Sequence, residues 1–231
     1  MTTGAMPASL LLLLSLAIPL TTALVAAAAP AVNRAVALEA KYLTGRCLAF
    51  VLLIVLLPLL VVMAAAVRGS SRGPVLFRQR RVGAGGRTFD MLKFRSMRVG
   101  DDAGFLPVDG TAPGGVEGVD RRTAVGRLLR RTSLDELPQL WNVVRGDMAL
   151  VGPRPERPEH VARFSAQVPG YAHRHRVRVG LTGLAQVSGS RGATDIARRA
   201  ELDNDYIERW SLALDLRILG ATVGAVVRGA E

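Results

Sequence analysis

The sequence predicts a membrane-associated α+β protein, mostly helical, in which an apolar N-terminal third precedes a polar, strongly basic globular part. Three observations carry this expectation. Residues 1–67 hold only Arg34, Glu39, Lys41 and Arg46 as charges, whereas the rest of the 231-residue chain holds 27 of the 30 basic and 18 of the 19 acidic residues. Two uncharged stretches in the first part are long enough to enter a bilayer. Beyond them, a short alternating hairpin is followed by helical patterns.

The first stretch, residues 8–30, contains no charge. Its Ala26-Ala27-Ala28-Ala29 run resembles a signal cleavage site, but no basic residues precede it and the apolar run is long. That favours a retained spanning helix over residues 1–32. The second stretch, residues 47–67, is 21 uncharged residues. At about 1.5 Å per residue it is long enough for a hydrocarbon core of about 30 Å. Pro58 near its middle removes a helix hydrogen bond and kinks the chain. Two readings stand: an ordinary spanning helix, or a re-entrant helix that returns to the face it entered. The basic globular part is expected on the cytoplasmic side, and so is the link carrying Arg34, Lys41 and Arg46. Both are cytoplasmic only if the first stretch spans and the second turns back. Charge therefore favours a link and re-entrant helix over 33–68 and a cytoplasmic domain over 69–231.

A net charge of +11 implies an anionic partner. Of the basic residues 28 are Arg and two are Lys, and Arg grips phosphate through paired hydrogen bonds. Aromatic residues are only 5%, and no nucleic-acid-binding spacing is present. The composition therefore argues against nucleic acid and points to phospholipid or a phosphorylated substrate. Cys47 is the only cysteine, which excludes an intrachain disulfide and a cysteine-based metal site.

Within the globular part, residues 73–97 read as a β-hairpin. Val75, Phe77 and Gln79 alternate on one arm and Phe89, Met91 and Lys93 on the other, with glycines at the turn. Residues 100–118 read as a loop, in which Asp101, Asp102 and Asp109 match no calcium-binding spacing. Residues 121–144 are helical with an interruption at 132–138. A Gly152-Pro153-Arg154-Pro155 turn, a helix near 157–167 and a glycine-rich loop at 179–192 follow. Residues 196–227 read as one helix, with Tyr206, Trp210 and Leu214 on one face. Its apolar end, which carries Asp215 and Arg217, suits a headgroup layer or a plain core. His160, His173 and His175 lack a further ligand for zinc and read as an exposed basic patch.

The densest chemistry is Leu129-Arg130-Arg131-Thr132-Ser133-Leu134-Asp135-Glu136-Leu137-Pro138-Gln139. One reading is a capping box, Ser133 with Glu136, at the start of a helix. The other uses the same helix start as a phosphate site, where a carboxylate keeps a low pKa and stays ionised as a nucleophile. Consecutive helical residues point about 100° apart. Asp135 and Glu136 are therefore suited to separate jobs, one attacking phosphorus and one holding a metal or a proton. Arg154, stiffened by two prolines, suits phosphate contact. Lys93, Arg95, Arg130 and Arg131 are further cation candidates, and each alone reads equally well as surface charge.

Gly73-Pro74-Val75-Leu76-Phe77-Arg78-Gln79-Arg80-Arg81-Val82-Gly83 and Lys93-Phe94-Arg95-Ser96-Met97 resemble the bacterial sugar transferase family, the monotopic phosphoglycosyl transferases. The likeness continues through residues 130–156, Gly180-Leu181-Thr182-Gly183-Leu184-Ala185-Gln186-Val187-Ser188-Gly189 and residues 206–218. It implies a bacterial inner-membrane enzyme that transfers a hexose-1-phosphate from a UDP-sugar to undecaprenyl phosphate, the first membrane step of exopolysaccharide or other glycoconjugate synthesis. By that resemblance Asp135 is the nucleophile, Glu136 binds Mg²⁺, and Lys93, Arg130 and Arg154 hold phosphate. Asp203 matches a recurrent acid of unassigned role, and the membrane helix is re-entrant. The sequence departs from the family at Gly45-Arg46-Cys47, where Lys-Arg is usual, and at Leu57-Pro58, where Ser-Pro is usual.

Ser190-Arg191-Gly192-Ala193-Thr194-Asp195 resembles the form found in the glucose-1-phosphate branch, which implies UDP-glucose with Arg191 and Thr194 near the sugar. The competing reading has Thr194 capping the next helix. The competing function is a non-catalytic basic membrane protein that binds anionic lipid or nucleic acid. Membrane lipid is a partner on either view, and a homo-oligomer is an open alternative.

Overall fold

The computed structural model describes residues 34–98, 121–190 and 195–228. Helix α1 (Arg34–Val55) takes in the whole charged link, which the sequence reading placed before the membrane helix rather than within it. The reason is local. Ala35, Ala37, Leu38, Glu39, Ala40 and Lys41 are strong helix formers, and no proline interrupts them. Helix α2 (Leu57–Ser70) follows after a bend of 65°. Pro58 occupies the first turn of α2, where its missing N–H has no partner to lose. No single described helix is long and apolar enough to cross a bilayer, whereas the bent pair taken together has that length and composition.

One side of this pair covers the rest of the molecule. Ala49 joins a core with Met91, Leu140, Val143 and Met148, and Met63 and Val67 pack with Phe94 and Leu129. The opposite side leaves Phe50, Ile54, Val55, Leu57, Val61 and Val62 exposed. Both ends are bonded to the globular part. On α1, Lys41 donates to the Val151 carbonyl at 2.9 Å and pairs with Asp215 at 3.1 Å. Arg46 donates to the Val144 carbonyl at 2.8 Å. Where α2 ends, the Arg95 guanidinium donates to the carbonyls of Val67, Ser71 and Pro74.

Strands β1 (Leu76–Val82) and β2 (Thr88–Phe94) form the antiparallel hairpin. Its register pairs Phe77 with Lys93, Gln79 with Met91 and Arg81 with Phe89, so the alternation seen in the sequence is one face of the sheet. Helix α3 (Ala124–Arg131) is capped by Thr123, whose side chain accepts from the Gly126 N–H at 2.9 Å. Helix α4 (Gln139–Arg145) follows the predicted interruption.

A second, parallel sheet pairs β3 (Ala149–Val151), just before the predicted turn and given no element by the sequence, with β4 (Gly180–Thr182), inside the predicted loop. Strands of three residues are too short to show alternation. Gly180 lets the two segments meet, since a Cβ there would overlap the Gly152 backbone. Helix α5 (Pro158–Gln167) and the short α6 (Leu184–Val187) lead to α7 (Ile196–Glu208) and α8 (Leu212–Arg228).

The last two helices are not the single helix expected. Ser211 accepts from the Leu214 N–H at 3.2 Å and starts α8 afresh. Asp215 in its first turn accepts from Tyr206 at 2.7 Å and Trp210 at 3.0 Å. Tyr206, Trp210 and Leu214 still share one core, now assembled across the break. Helix α8 buries Asp215 and Ile218 and exposes Leu212, Leu216 and Val223.

Two of the three histidines are also placed differently, whereas His173 is exposed as expected. His160 stacks on Phe164, and Tyr171 meets His175 edge-on. Both histidines are buried, so an aromatic core and not an exposed basic patch accounts for them.

Candidate active site

The residues between α3 and α4 hold the Asp–Glu pair. Ser133 is the only non-glycine residue with positive φ among those described, at 55°. Such a conformation costs on the order of 1–3 kcal/mol and turns the chain sharply after α3. A single 3₁₀ turn, Leu134–Glu136, follows. Ser133 makes no side-chain cap, and the Glu136 N–H bonds to its backbone carbonyl at 3.1 Å. The capping-box reading is therefore corrected. So is the helix-start argument, because the dyad precedes α4 and does not occupy its first turn.

The hairpin delivers Lys93 to this turn. Lys93 Nζ donates to Glu136 Oε1 at 2.7 Å, and Arg154 donates to the same oxygen at 3.1 Å. Asn142, fully buried on α4, fixes the register between the two elements. Its side-chain oxygen accepts from the Leu92 N–H at 3.0 Å, and its amide donates to the Asp90 carbonyl at 2.8 Å. Sequence reasoning missed Asn142. The available signal was a polar residue on the apolar side of a short helix.

Arg154 is held from behind by a buried ionic network. Arg174 donates to the Arg154 carbonyl at 2.9 Å and to Asp203 at 2.5 Å. Both side chains of that ion pair are only 1% exposed. Arg81 donates to the Pro155 carbonyl at 2.9 Å, and Glu156 pairs with Arg199 at 2.8 Å and Arg81 at 3.6 Å. Asp203 thus receives a role the sequence left open: it neutralises the arginine that supports the Arg154 turn. Glu156, Arg81, Arg174 and Arg199 were not singled out from sequence, because buried ion pairs look like surface charge there.

The two carboxylates of the dyad have opposite protonation behaviour. Burial pushes the Asp135 carboxyl up to about 6 against the pull of Lys93, Arg130 and Arg154, and the neighbouring Glu136 charge adds to the rise. Burial acts on Glu136 in the same direction, but the charges and hydrogen bonds of Lys93 and Arg154 outweigh it. They hold Glu136 well below the usual carboxylate range. The expectation of a low pKa at Asp135 is corrected by this burial. At pH 7 a carboxyl with a pKa near 6 is still about nine-tenths ionised.

Of the remaining candidates, Arg130 lies in the last turn of α3, close enough for its charge to act on Asp135. Arg95 is committed to the carbonyls at the end of α2 and is buried there, so it braces that helix and not the dyad. Arg191 and Thr194 lie outside the described residues. Asp195, not Thr194, caps α7, accepting from the Ala197 N–H at 2.9 Å.

Residues 36–229 match the family described as bacterial sugar transferase. Over 192 residues the chain is 47% identical to the UDP-glucose:undecaprenyl-phosphate glucose-1-phosphate transferase of Xanthomonas campestris pv. campestris, covering 81% of this chain and 39% of that protein. It is 49% identical over 174 residues to the protein of the same name from Caulobacter vibrioides, covering 74% of this chain and 63% of that one. It is 40% identical over 174 residues to the UDP-N-acetylgalactosamine-undecaprenyl-phosphate N-acetylgalactosaminephosphotransferase of Aeromonas hydrophila, covering 74% of this chain and 40% of that protein. The chain thus spans less than two thirds of the length of each. With residues 36–229 matched end to end, the chain belongs to the bacterial sugar transferase family.

Proposed function

We propose that this protein transfers glucose-1-phosphate from UDP-glucose to undecaprenyl phosphate and releases UMP, through an aspartyl phosphosugar. The observation that carries the reading is the Asp135–Glu136 pair. One carboxylate lies free of the ion pairs that hold the other, and is buried to a pKa of about 6; its neighbour is pinned by Lys93 and Arg154.

In the first step an Asp135 carboxylate oxygen attacks the β-phosphorus. The bond to the bridging oxygen breaks, and UMP leaves with that oxygen. In the second, a phosphate oxygen of the acceptor attacks the same phosphorus and the Asp135 carboxylate departs. Lys93, Arg130 and Arg154 face the charge that collects on the equatorial oxygens. Asp135 is mostly ionised at neutral pH, yet being buried it is poorly solvated, which favours attack.

Mg²⁺ is commonly held by one or two carboxylates plus substrate phosphates. The dyad suits that donor set, since Lys93 and Arg154 both meet Oε1 of Glu136. Glu136, with the diphosphate, would hold the ion, which neutralises charge on the diphosphate and leaving group.

Glucose is chosen because the two more similar relatives named above carry it in their names. The bent helix pair is proposed to enter and leave the cytoplasmic face of the inner membrane. Support comes from the bonds of Lys41, Arg46 and Arg95, which tie both ends of the pair to the same globular part. The exposed apolar side of α8 would lie in the headgroup layer.

The test is intact-protein mass spectrometry after incubation with UDP-glucose and Mg²⁺ alone. An adduct of one hexose phosphate and stoichiometric UMP support the reaction. UMP formed only when undecaprenyl phosphate is also present, with no adduct, would remove the covalent step. A panel of UDP-sugars decides the donor: a preference of tenfold or more in kcat/KM for a galactose or N-acetylated donor, about 1.4 kcal/mol, would displace glucose.

A further inference from the structure

We infer that the open groove along β1, lined by Pro74, Val75, Leu76, Phe77 and Arg78, receives the first isoprene units of the polyprenyl phosphate acceptor, with Phe77 as the contact residue. This rests on the acceptor class proposed above.

Phe77 is 46% exposed, and Leu76 beside it is also open to solvent. Phe77 is paired with Lys93 in the hairpin register. The two side chains therefore stand on the same face of the sheet, with Cβ atoms about 4.5–5.5 Å apart. Lys93 in turn reaches Glu136 at 2.7 Å. One end of the groove thus adjoins the dyad.

The other end adjoins the membrane helix. Arg95 binds the carbonyls of Val67, Ser71 and Pro74 together, so the groove begins where α2 ends. The outer side of α2 is apolar, with Leu57, Val61 and Val62 exposed. From the end of α2 the chain passes exposed Arg68 and Arg72 to the groove, where Phe77, on the Lys93 face of the hairpin, places an apolar side chain between that helix and a cation. That order suits a molecule with a hydrocarbon tail and a phosphate head. A nucleotide donor arrives from water and does not need a path that starts at the membrane helix.

The experiment compares wild type, Phe77→Ser and Phe77→Leu in the two half-reactions. Acceptors are undecaprenyl phosphate and the shorter farnesyl phosphate, both in detergent. For Phe77→Ser the KM for UDP-glucose in adduct formation should stay at the wild-type value. The KM for both acceptors should rise at least tenfold, about 1.4 kcal/mol, and Phe77→Leu should recover most of the loss. A raised KM for UDP-glucose would make Phe77 a wall of the nucleotide site and overturn the inference. A defect with undecaprenyl phosphate that is missing with farnesyl phosphate would overturn it too, because the groove is assigned to the units nearest the phosphate.

A second measurement needs no variant. Wild-type protein is irradiated with a prenyl phosphate carrying benzophenone at its first isoprene units, and label in the peptide containing residues 74–78 is the expected result. Label confined to other peptides would reject the groove. If wild type forms neither adduct nor UMP with any UDP-sugar, the proposed reaction fails, and the crosslink still decides the groove by itself.

Discussion

Lys93 donates to Oε1 of Glu136 across 43 residues of sequence, at 2.7 Å. Arg154 shares that oxygen, so Glu136 carries two cations while Asp135 beside it carries the burden of burial. Neighbouring carboxylates driven apart in pKa are suited to different roles. Here the more easily protonated one is the proposed nucleophile.

Asp135→Asn should abolish the phosphosugar adduct in intact-mass spectra. An adduct formed near the wild-type rate would assign the nucleophile elsewhere. In the wild type, adduct formation should rise as pH passes through about 6 and level off above 7, read by single-turnover UMP release.

The same residue should set a conflict between stability and activity. Its folded pKa of about 6 lies above the ordinary 3.8, so the folded state binds the proton more tightly. The stability linked to Asp135 is complete below about pH 4 and is lost as pH rises through 6. Asp135→Asn escapes that loss, and should be more stable than wild type at pH 8 by on the order of 1–3 kcal/mol. Denaturant melts at pH 4 and pH 8 check this; an equal difference at both would contradict it.

Glu136→Gln should leave the protein folded and lower turnover at least about tenfold, the scale of losing one charged contact in a buried site. Raising Mg²⁺ should recover little. Activity that is unchanged across a Mg²⁺ titration would mean that Glu136 only anchors Lys93 and Arg154.

Arg174 and Asp203 are buried partners, and removing either leaves a charge in the interior. Asp203→Asn and Arg174→Met should each destabilise by about 3–5 kcal/mol. The double variant Arg174→Met with Asp203→Leu should lose less than the sum. Simple additivity in the cycle would show that the pair does not act as a unit.

For topology, Val36→Cys and Arg72→Cys are placed one at a time in a Cys47→Ala background. Both side chains are exposed. An impermeant maleimide should label both only after the inner membrane is permeabilised. Reaction of the cysteine at position 36 in intact spheroplasts would put the start of α1 outside and exclude re-entry.

The sequence by itself determined the features that depend on near neighbours. Alternation over residues 75–79 and 89–93 specified the hairpin and which side chains share a face, and the glycines between them allowed its turn. Proline marked the break between α1 and α2, and the Asp135–Glu136 pair stood out within one interrupted helical run.

What only the tertiary structure decided depends on groups distant in the chain. Arg95 and Lys93 look alike as candidate cations in sequence, yet one is consumed by the end of α2 and the other reaches the dyad. The charged link is legible as helix-forming residues, but its clasp on Asp215 and Val144 is not. The ionisation order of Asp135 and Glu136 follows from desolvation and from which carboxylate the cations reach. Both are properties of the packed interior, where charge acts through space in a medium that screens it poorly, and neither leaves a mark on local residue patterns.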